Sequence, residues 1–431
     1  MRNHLGIIGY GIMAKNIIIN LIKNNINISI FNKEKILLNK KIFNIILVTN
    51  CLKKFISSLP LLKLIFLIIK TGFPIKLILF RLKKKLFKND IVIDFGNSFY
   101  KETFLNNKII NKKYNFISSG ISGGANGALY GLCCMMDCSI KLYEKIFNTI
   151  KKIFFLKNKR YSFCLSLGLS SSHYIKMIHN GIEYGILQLI SEIYFLLKNI
   201  IKKKKYIINV LLNWNNSIIG SYLLKILLNI LLKKKKKICD IVDQKGTGRN
   251  FVLNSIKNNI NANSIFEALI IRIISKNIFL RKILFYNEKK LIFINKSLFL
   301  ELTKNMFLLF KLLCYSQGLN QLIKIKKKYN WKINLNNLIK SYFDSCIIDS
   351  KILFMLINIK KNFFLTNFFL KYIKKFFCIK KVIFFIIKCN LSSFFLISCF
   401  NLLTLLIYKN YNIKLIQFER NYFGNHIIKY I

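Results

Sequence analysis

Residues 4–16 read HLGIIGYGIMAKN, and this stretch decides how the N-terminal part of the chain is built. An apolar run fit for a strand leads into Gly9-Tyr10-Gly11-Ile12-Met13-Ala14, a GxGxxA turn, and then into a helical pattern. Gly9 permits the tight turn, Gly11 lets backbone come close to a pyrophosphate, and Ala14 keeps the helix against the strand. The helix N-terminus then faces the anion with unpaired N–H groups. A dinucleotide site follows from this, with Gly9, Gly11, Ile12, Met13 and Ala14 forming its turn.

Working outward, short apolar runs at 4–9, 27–31, 44–48, 64–69, 91–94 and 115–119 alternate with helical stretches, the pattern of a parallel sheet flanked by helices. The second run ends Phe31-Asn32-Lys33-Glu34. A carboxylate at this point usually accepts from a ribose 2′-hydroxyl. Asn32 followed by cationic Lys33 favours a 2′-phosphate, hence NADP, while Glu34 pulls toward NAD. Beyond about residue 170 the apolar positions take helical spacing and strand-and-turn alternation stops. The expected architecture is an α/β Rossmann-like dinucleotide-binding domain over 1–170, followed by a large all-α domain over 171–412.

The chain has 431 residues, 71 Lys and Arg against 16 Asp and Glu, and a net charge of +55. Such a charge suggests nucleic acid, but the lysines are spread throughout, together with Ile, Asn and Phe. These residues share A/T-rich codons, so mutational bias accounts for them and no nucleic-acid partner is expected. Eleven cysteines without a CxxC pair and four histidines argue against a metal site. The group Cys133, Cys134 and Cys138 reads as loop. An odd cysteine count without a signal-peptide pattern points to a reducing cytoplasm. Residues 389–408 run twenty positions without a charge, enough to span a membrane. Asn390, Ser392, Ser393, Ser398, Asn401 and Thr404 interrupt the run, so it reads as a core helix and no membrane partner is expected. The lysine runs 202–205 and 233–237 read as solvated helix ends or loops.

The densest chemistry lies in residues 173–185, HYIKMIHNGIEYG. Lys176, His179, Asn180 and Glu183 stand at i, i+3, i+4 and i+7, on one helical face. The positions between them (Tyr174, Ile175, Met177, Ile178, Ile182) are apolar, so the helix is expected to be buried. Burial lowers a lysine pKa and raises that of a glutamate, which prepares a base and an acid.

KMIHNGIEYG resembles the active-site helix of the 6-phosphogluconate dehydrogenase family. Lys70-Thr71-Gly72 and Asp94-Phe95-Gly96-Asn97-Ser98 are similar to its cofactor-side loops, and Gly120-Ile121-Ser122-Gly123-Gly124 to its substrate turn. QKGTG at 244–248, YSQG at 315–318 and RNYFGNH at 420–426 resemble further motifs of the same family.

The resemblance implies an NADP-dependent oxidative decarboxylation of 6-phosphogluconate to ribulose 5-phosphate, with NAD as the other candidate cofactor. Lys176 would be the base and Glu183 the acid. Asn97, Ser122, Gly123, Gly124, His179 and Asn180 would hold the sugar and its carboxylate. Tyr184, Lys245, Thr247 and Arg272 would hold the phosphate. Arg420 and His426, on a tail over 413–431, would come from a partner subunit, making a homodimer with shared sites. Lys70, Thr71, Gly72 and Asn97 would also face the cofactor. Phe95 stands where the family has glycine, Ala125 and Leu129 where it has an acid and an arginine, and Asp349 where it has an arginine. A simpler 3-hydroxy acid dehydrogenase, or a decayed binding or membrane-associated protein, is the competing expectation.

Overall fold

The computed structural model describes residues 4–36, 44–110, 112–233, 238–284, 295–357, 367–408 and 413–428. Its N-terminal part carries strands β1 (His4–Ile8), β2 (Asn27–Phe31), β3 (Ile45–Thr49), β4 (Leu64–Leu67), β5 (Ile91–Asp94), β6 (Asn115–Ser122) and β7 (Cys133–Asp137). A small hairpin, β8 (Leu156–Lys157) and β9 (Arg160–Tyr161), precedes β10 (Phe163–Leu167). Between them run helices α1 (Ile12–Lys23), α2 (Leu52–Ser57), α3 (Phe73–Lys83), α4 (Tyr100–Ile110), α5 (Gly124–Tyr130) and α6 (Ile140–Ile150).

The sheet order is β11-β10-β7-β6-β5-β4-β1-β2-β3, with β11 the short strand Lys332–Ile333. The segment β3 to β6 is parallel throughout, and β6–β7 and β10–β11 pair antiparallel. The order 3-2-1-4-5-6 is that of a dinucleotide-binding sheet, whose crevice opens between β1 and β4. Alternate residues of β4 enter opposite cores: Leu64 and Phe66 pack with Leu5, Ile7 and Ile93, whereas Ile65 and Leu67 pack with Phe55, Ile78 and Val92. A strand covered on both faces needs apolar residues at every position, which is what these runs supply.

The second part contains α7 (Ser171–Ile200), α8 (Lys204–Asn216), α9 (Tyr222–Leu232), α10 (Thr247–Lys257), α11 (Asn263–Ser275), α12 (Ile278–Ile283), α13 (Lys296–Lys328) and α14 (Leu335–Ser341). It continues with α15 (Asn367–Ile373), α16 (Phe376–Lys388), α17 (Phe394–Ile407) and α18 (Ile413–Gly424). Its axis is the pair α7 and α13, of 30 and 33 residues. They touch through small residues: a Cβ on Gly318 would lie 2.5 Å from Ile182, and one on Gly185 would lie 2.9 Å from Cys314 Sγ. The YSQG motif is therefore packing; its Gln317 ties α13 to Ser264 and Asn261.

Three expectations change. Residues 133–137, read as loop, form a fully buried strand. Cys and Met on both faces give no alternation by which to recognise it. Strand structure also does not stop at residue 170, because Lys332–Ile333 returns to pair with β10. The charge-free run 389–408 is a turn at Cys389 and Asn390 followed by a 14-residue helix with one buried face. Among the described residues no helix is long and apolar enough to cross a membrane. Lys202–Lys205 lie exposed at the start of α8, and residues 234–237 of the second lysine run fall outside the described residues.

Candidate active site

The first four turns of α7 are buried almost completely, at 6% exposure for Lys176, 0% for His179 and 7% for Asn180. Burial drives the Lys176 ammonium below its usual pKa, against attraction from Glu183. Lys176 Nζ lies 3.3 Å from His179 Nδ1, which also faces Asn180 Oδ1 at 3.1 Å and Glu183 Oε2 at 3.8 Å. The other ring nitrogen, Nε2, meets Ser122 Oγ at 2.8 Å and Cys346 Sγ at 3.0 Å. Glu183 is less buried than the spacing suggests, with 21% of its side chain exposed.

β6 lies along this helix. A Cβ on Gly120 would sit 2.6 Å from Lys176 Cβ, so only glycine lets the strand pass so close. Gly123 has φ +126° and turns the chain into α5, and a Cβ there would meet the Ser345 carbonyl at 2.8 Å. Gly124, at φ +63°, faces open space. Asn97 lies exposed on a loop that Asp94 ties down through Gly96 N–H at 2.8 Å and Ser98 Oγ at 2.7 Å. Asn97, Lys176, Met177, Thr247 and Asn250 line one narrow crevice.

The QKGTG motif forms the turn into α10. Gly246 has φ +84°, Thr247 is buried, and Lys245 stands exposed just ahead of them. Gly248 is packed against the Tyr184 ring, where a Cβ would lie 2.6 Å from Cε2. Arg272 is stacked on that ring, with its Cζ 3.6 Å from the centroid, and is drawn electrostatically toward Glu183. Tyr184, Thr247, Arg272 and Glu183 are thus brought together. Arg420 and His426 are not: both are exposed, among the described residues they bond within their own tail, and α18 has no buried residue.

At the other end of the sheet, Gly9 has φ +109° and a Cβ there would lie 2.3 Å from the Ile68 carbonyl, so the β1 and β4 turns touch at the crevice. Gly11 caps α1 with nothing within 4 Å of its Cβ direction, Ile12 is 73% exposed, Met13 half-buried and Ala14 buried. Asn32 Nδ2 donates to Glu34 O at 3.0 Å, closing the turn that presents Lys33 to solvent. Lys70, Thr71 and Gly72 follow β4, the strand paired with β1, and lead into α3, Gly72 with φ +88°.

Two family models cover the chain. One, described as the NAD binding domain of 6-phosphogluconate dehydrogenase, matches residues 4–154, and the other, its C-terminal domain, matches 172–431. The chain belongs to the 6-phosphogluconate dehydrogenase family. A decarboxylating 6-phosphogluconate dehydrogenase of Buchnera aphidicola is 33% identical over 99% of this chain and 95% of its own length. The Escherichia coli enzyme of that name is 29% identical over 82% and 79%. The Plasmodium falciparum 6-phosphogluconate dehydrogenase, solved apo, with NADP+ and with 6-phosphogluconate, superposes with TM-score 0.90 over 99% of this chain and 98% of its own, at 28% identity.

The departures from the family pattern are accommodated locally. Phe95 is buried and meets Phe66 edge-on at 4.9 Å, filling the sheet core rather than the cofactor crevice. The Ala125 carbonyl receives Asn16 Nδ2 at 2.8 Å, joining α5 to α1. Asp349 is pushed up to about 6 by burial and attracted by Lys311, which burial lowers to about 7. Sequence reasoning placed Gly120 in the substrate turn but missed its packing against Lys176, which exists only once β6 crosses α7, and it missed Cys346, which arrives from 167 residues beyond His179. A concavity of about 980 Å³ between Cys239–Ile241 and Ile274–Leu284 contains none of the expected site residues.

Proposed function

We infer that this chain oxidises 6-phosphogluconate at C3 with NADP and decarboxylates the product, giving ribulose 5-phosphate and carbon dioxide. The observation that carries the division of labour is the buried, pKa-lowered Lys176 sharing a helical face with the more exposed Glu183. An unprotonated Lys176 can take the 3-hydroxyl proton as C3 gives up hydride. Retained on Nζ, that proton then stabilises the enolate oxygen left when carbon dioxide departs. Glu183, open to water on one side, delivers a proton to C1 and is recharged by solvent. His179, held by Ser122, and Asn180 orient the sugar, with Asn97 opposite. Thr247, Lys245, Tyr184 and the stacked Arg272 supply hydroxyls and charge for the phosphate.

The crevice residues fit a dinucleotide: at Gly9 and Gly11 the backbone is stripped of side chains at the N-terminus of α1, and Lys33 stands exposed beside Asn32. When bound, the nicotinamide supplies the hydride acceptor. Lys33 with Asn32 favours the 2′-phosphate of NADP.

We also propose a homodimer in which α18 delivers Arg420 and His426 to the site of a second copy. Ile413, Leu415, Ile416, Phe418, Tyr422 and Phe423 on this tail are exposed, which suits a segment covered by another subunit. The eleven free cysteines suit a reducing cytoplasm. The test is reduction of NADP and NAD, in parallel, by 6-phosphogluconate and purified protein. Reduction of NADP at the higher kcat/KM is expected, and reduction of neither would defeat the reading.

A further inference from the structure

The buried carboxylate of Asp137 has no part in the chemistry above, yet it sits beneath the helix that carries the base. Asp137 ends β7 directly opposite Ser118 of β6 and is 4% exposed. Its Oδ1 accepts the Ser118 N–H at 2.9 Å and its Oδ2 accepts the Ser118 hydroxyl. The Ser118 Oγ lies 2.7 Å from Ser172 Oγ, and the Ser172 backbone N–H faces the carboxylate and favours its ionised form. Ser172 is the second residue of α7, whose N–H groups there have no intrahelical acceptor. The helix's own N-cap residue, Ser170 at φ +65°, makes no capping bond. Asp137 therefore supplies from the sheet the acceptor that a helix normally finds in its N-cap, and places negative charge at the positive end of the dipole.

The same strand then follows the helix upward. Ser118 meets Ser172, Gly120 meets Lys176, and Ser122 meets His179. The first step sets four helical residues, a rise of about 6 Å, against two strand residues, about 6.7 Å; the second sets three helical residues, about 4.5 Å, against the same two, and the Ser122 and His179 side chains reach across the difference. We propose that Asp137 is a positioning residue for the base: through Ser118 and Ser172 it fixes where α7 lies along β6, and so where Lys176 Nζ meets the substrate. Gly120 makes this register tight, because the Lys176 stem has no room to shift against the strand. Burial pushes the Asp137 carboxyl up to about 7, and its bonds to Ser118 and Ser172 oppose that rise. The three donors aimed at it give the ionised form its support.

This inference rests on Lys176 being the base, and Asp137→Asn tests it. The variant keeps the shape but turns one acceptor into a donor facing donors. In the full-length protein kcat with 6-phosphogluconate should fall about 10- to 100-fold, the cost of a base displaced by a fraction of an ångström to 1 Å. The acid limb of the kcat/KM profile should shift, because Lys176 moves relative to Glu183. The Kd for NADP should be unchanged, since the β1 turn is separated from β6 by β4 and β5. An active wild type together with an Asp137→Asn protein of unaltered kcat and pH profile overturns the proposal, even if its Tm drops. An inactive wild type instead defeats the functional reading beneath it. If Asp137→Asn does not fold, Ser172→Ala decides. It leaves the carboxylate and Ser118 in place and should lower kcat about 3- to 10-fold with a shifted acid limb; unaltered values there overturn the proposal equally.

Discussion

The cofactor crevice and the substrate site are built on opposite plans. The crevice consists of backbone: Gly9 in a positive-φ turn, Gly11 with open space beside it, and the N–H groups of α1. It comes from neighbouring residues and stands open to solvent. The substrate site is centred on buried side chains of β6, α7 and the α10 turn, with Arg272 of α11 half-buried beside them, and its inner polar groups bond one another. Backbone recognises the phosphates common to all dinucleotides, whereas a desolvated cluster lowers the pKa of its lysine and so eases the loss of that proton. One site binds a general group and the other performs a particular reaction.

Substitutions should separate the two plans. Lys176→Met has the largest expected effect, a fall in kcat of about 10³- to 10⁴-fold, with NADP Kd, measured by protein fluorescence, as in wild type. A loss of NADP binding would break the separation. Glu183→Gln should cost about 100-fold in kcat and leave KM for NADP alone; initial rates at saturating substrate decide. Gly9→Ala should act in reverse, because its Cβ collides with Ile68 O at 2.3 Å. KM for NADP should rise about 10-fold or more, reflecting about 1–3 kcal/mol of strain, while the substrate Kd stays put. Arg272→Ala should raise KM for 6-phosphogluconate about 10-fold, the worth of one charge-assisted contact.

The smallest effect concerns stability. Burial lowers Lys311 to about 7 from 10.5. Between those values the unfolded chain holds a proton that the native state has released, so stability should rise with pH, at up to about 1.4 kcal/mol per unit. Buried Cys134 and Cys164, raised to about 12 from 9.0, reverse the trend above pH 9. Denaturant melts between pH 7 and 9 should show this rise in the wild type and a flatter profile in Lys311→Met.

Legibility in the sequence follows the same division. The GxGxxA turn was readable because its parts are adjacent, and Lys176, His179, Asn180 and Glu183 because helical spacing puts them on one face. Glu183 was misjudged as buried, since spacing says nothing of what covers each turn of the helix. β7 escaped because Cys133–Asp137 is covered on both sides and shows no period. The packing of Gly120 on Lys176 and the parts played by Cys346 and Asp137 were invisible for a stronger reason. Each acts across the chain on α7 or β6, and no local pattern encodes that crossing.

The most direct test is the coupling of the two products. Wild-type protein supplied with 6-phosphogluconate and NADP should release carbon dioxide and NADPH in equal amounts throughout the time course. NADPH without carbon dioxide would mark a simple hydroxy acid dehydrogenase and contradict the account of Lys176 and Glu183 given above.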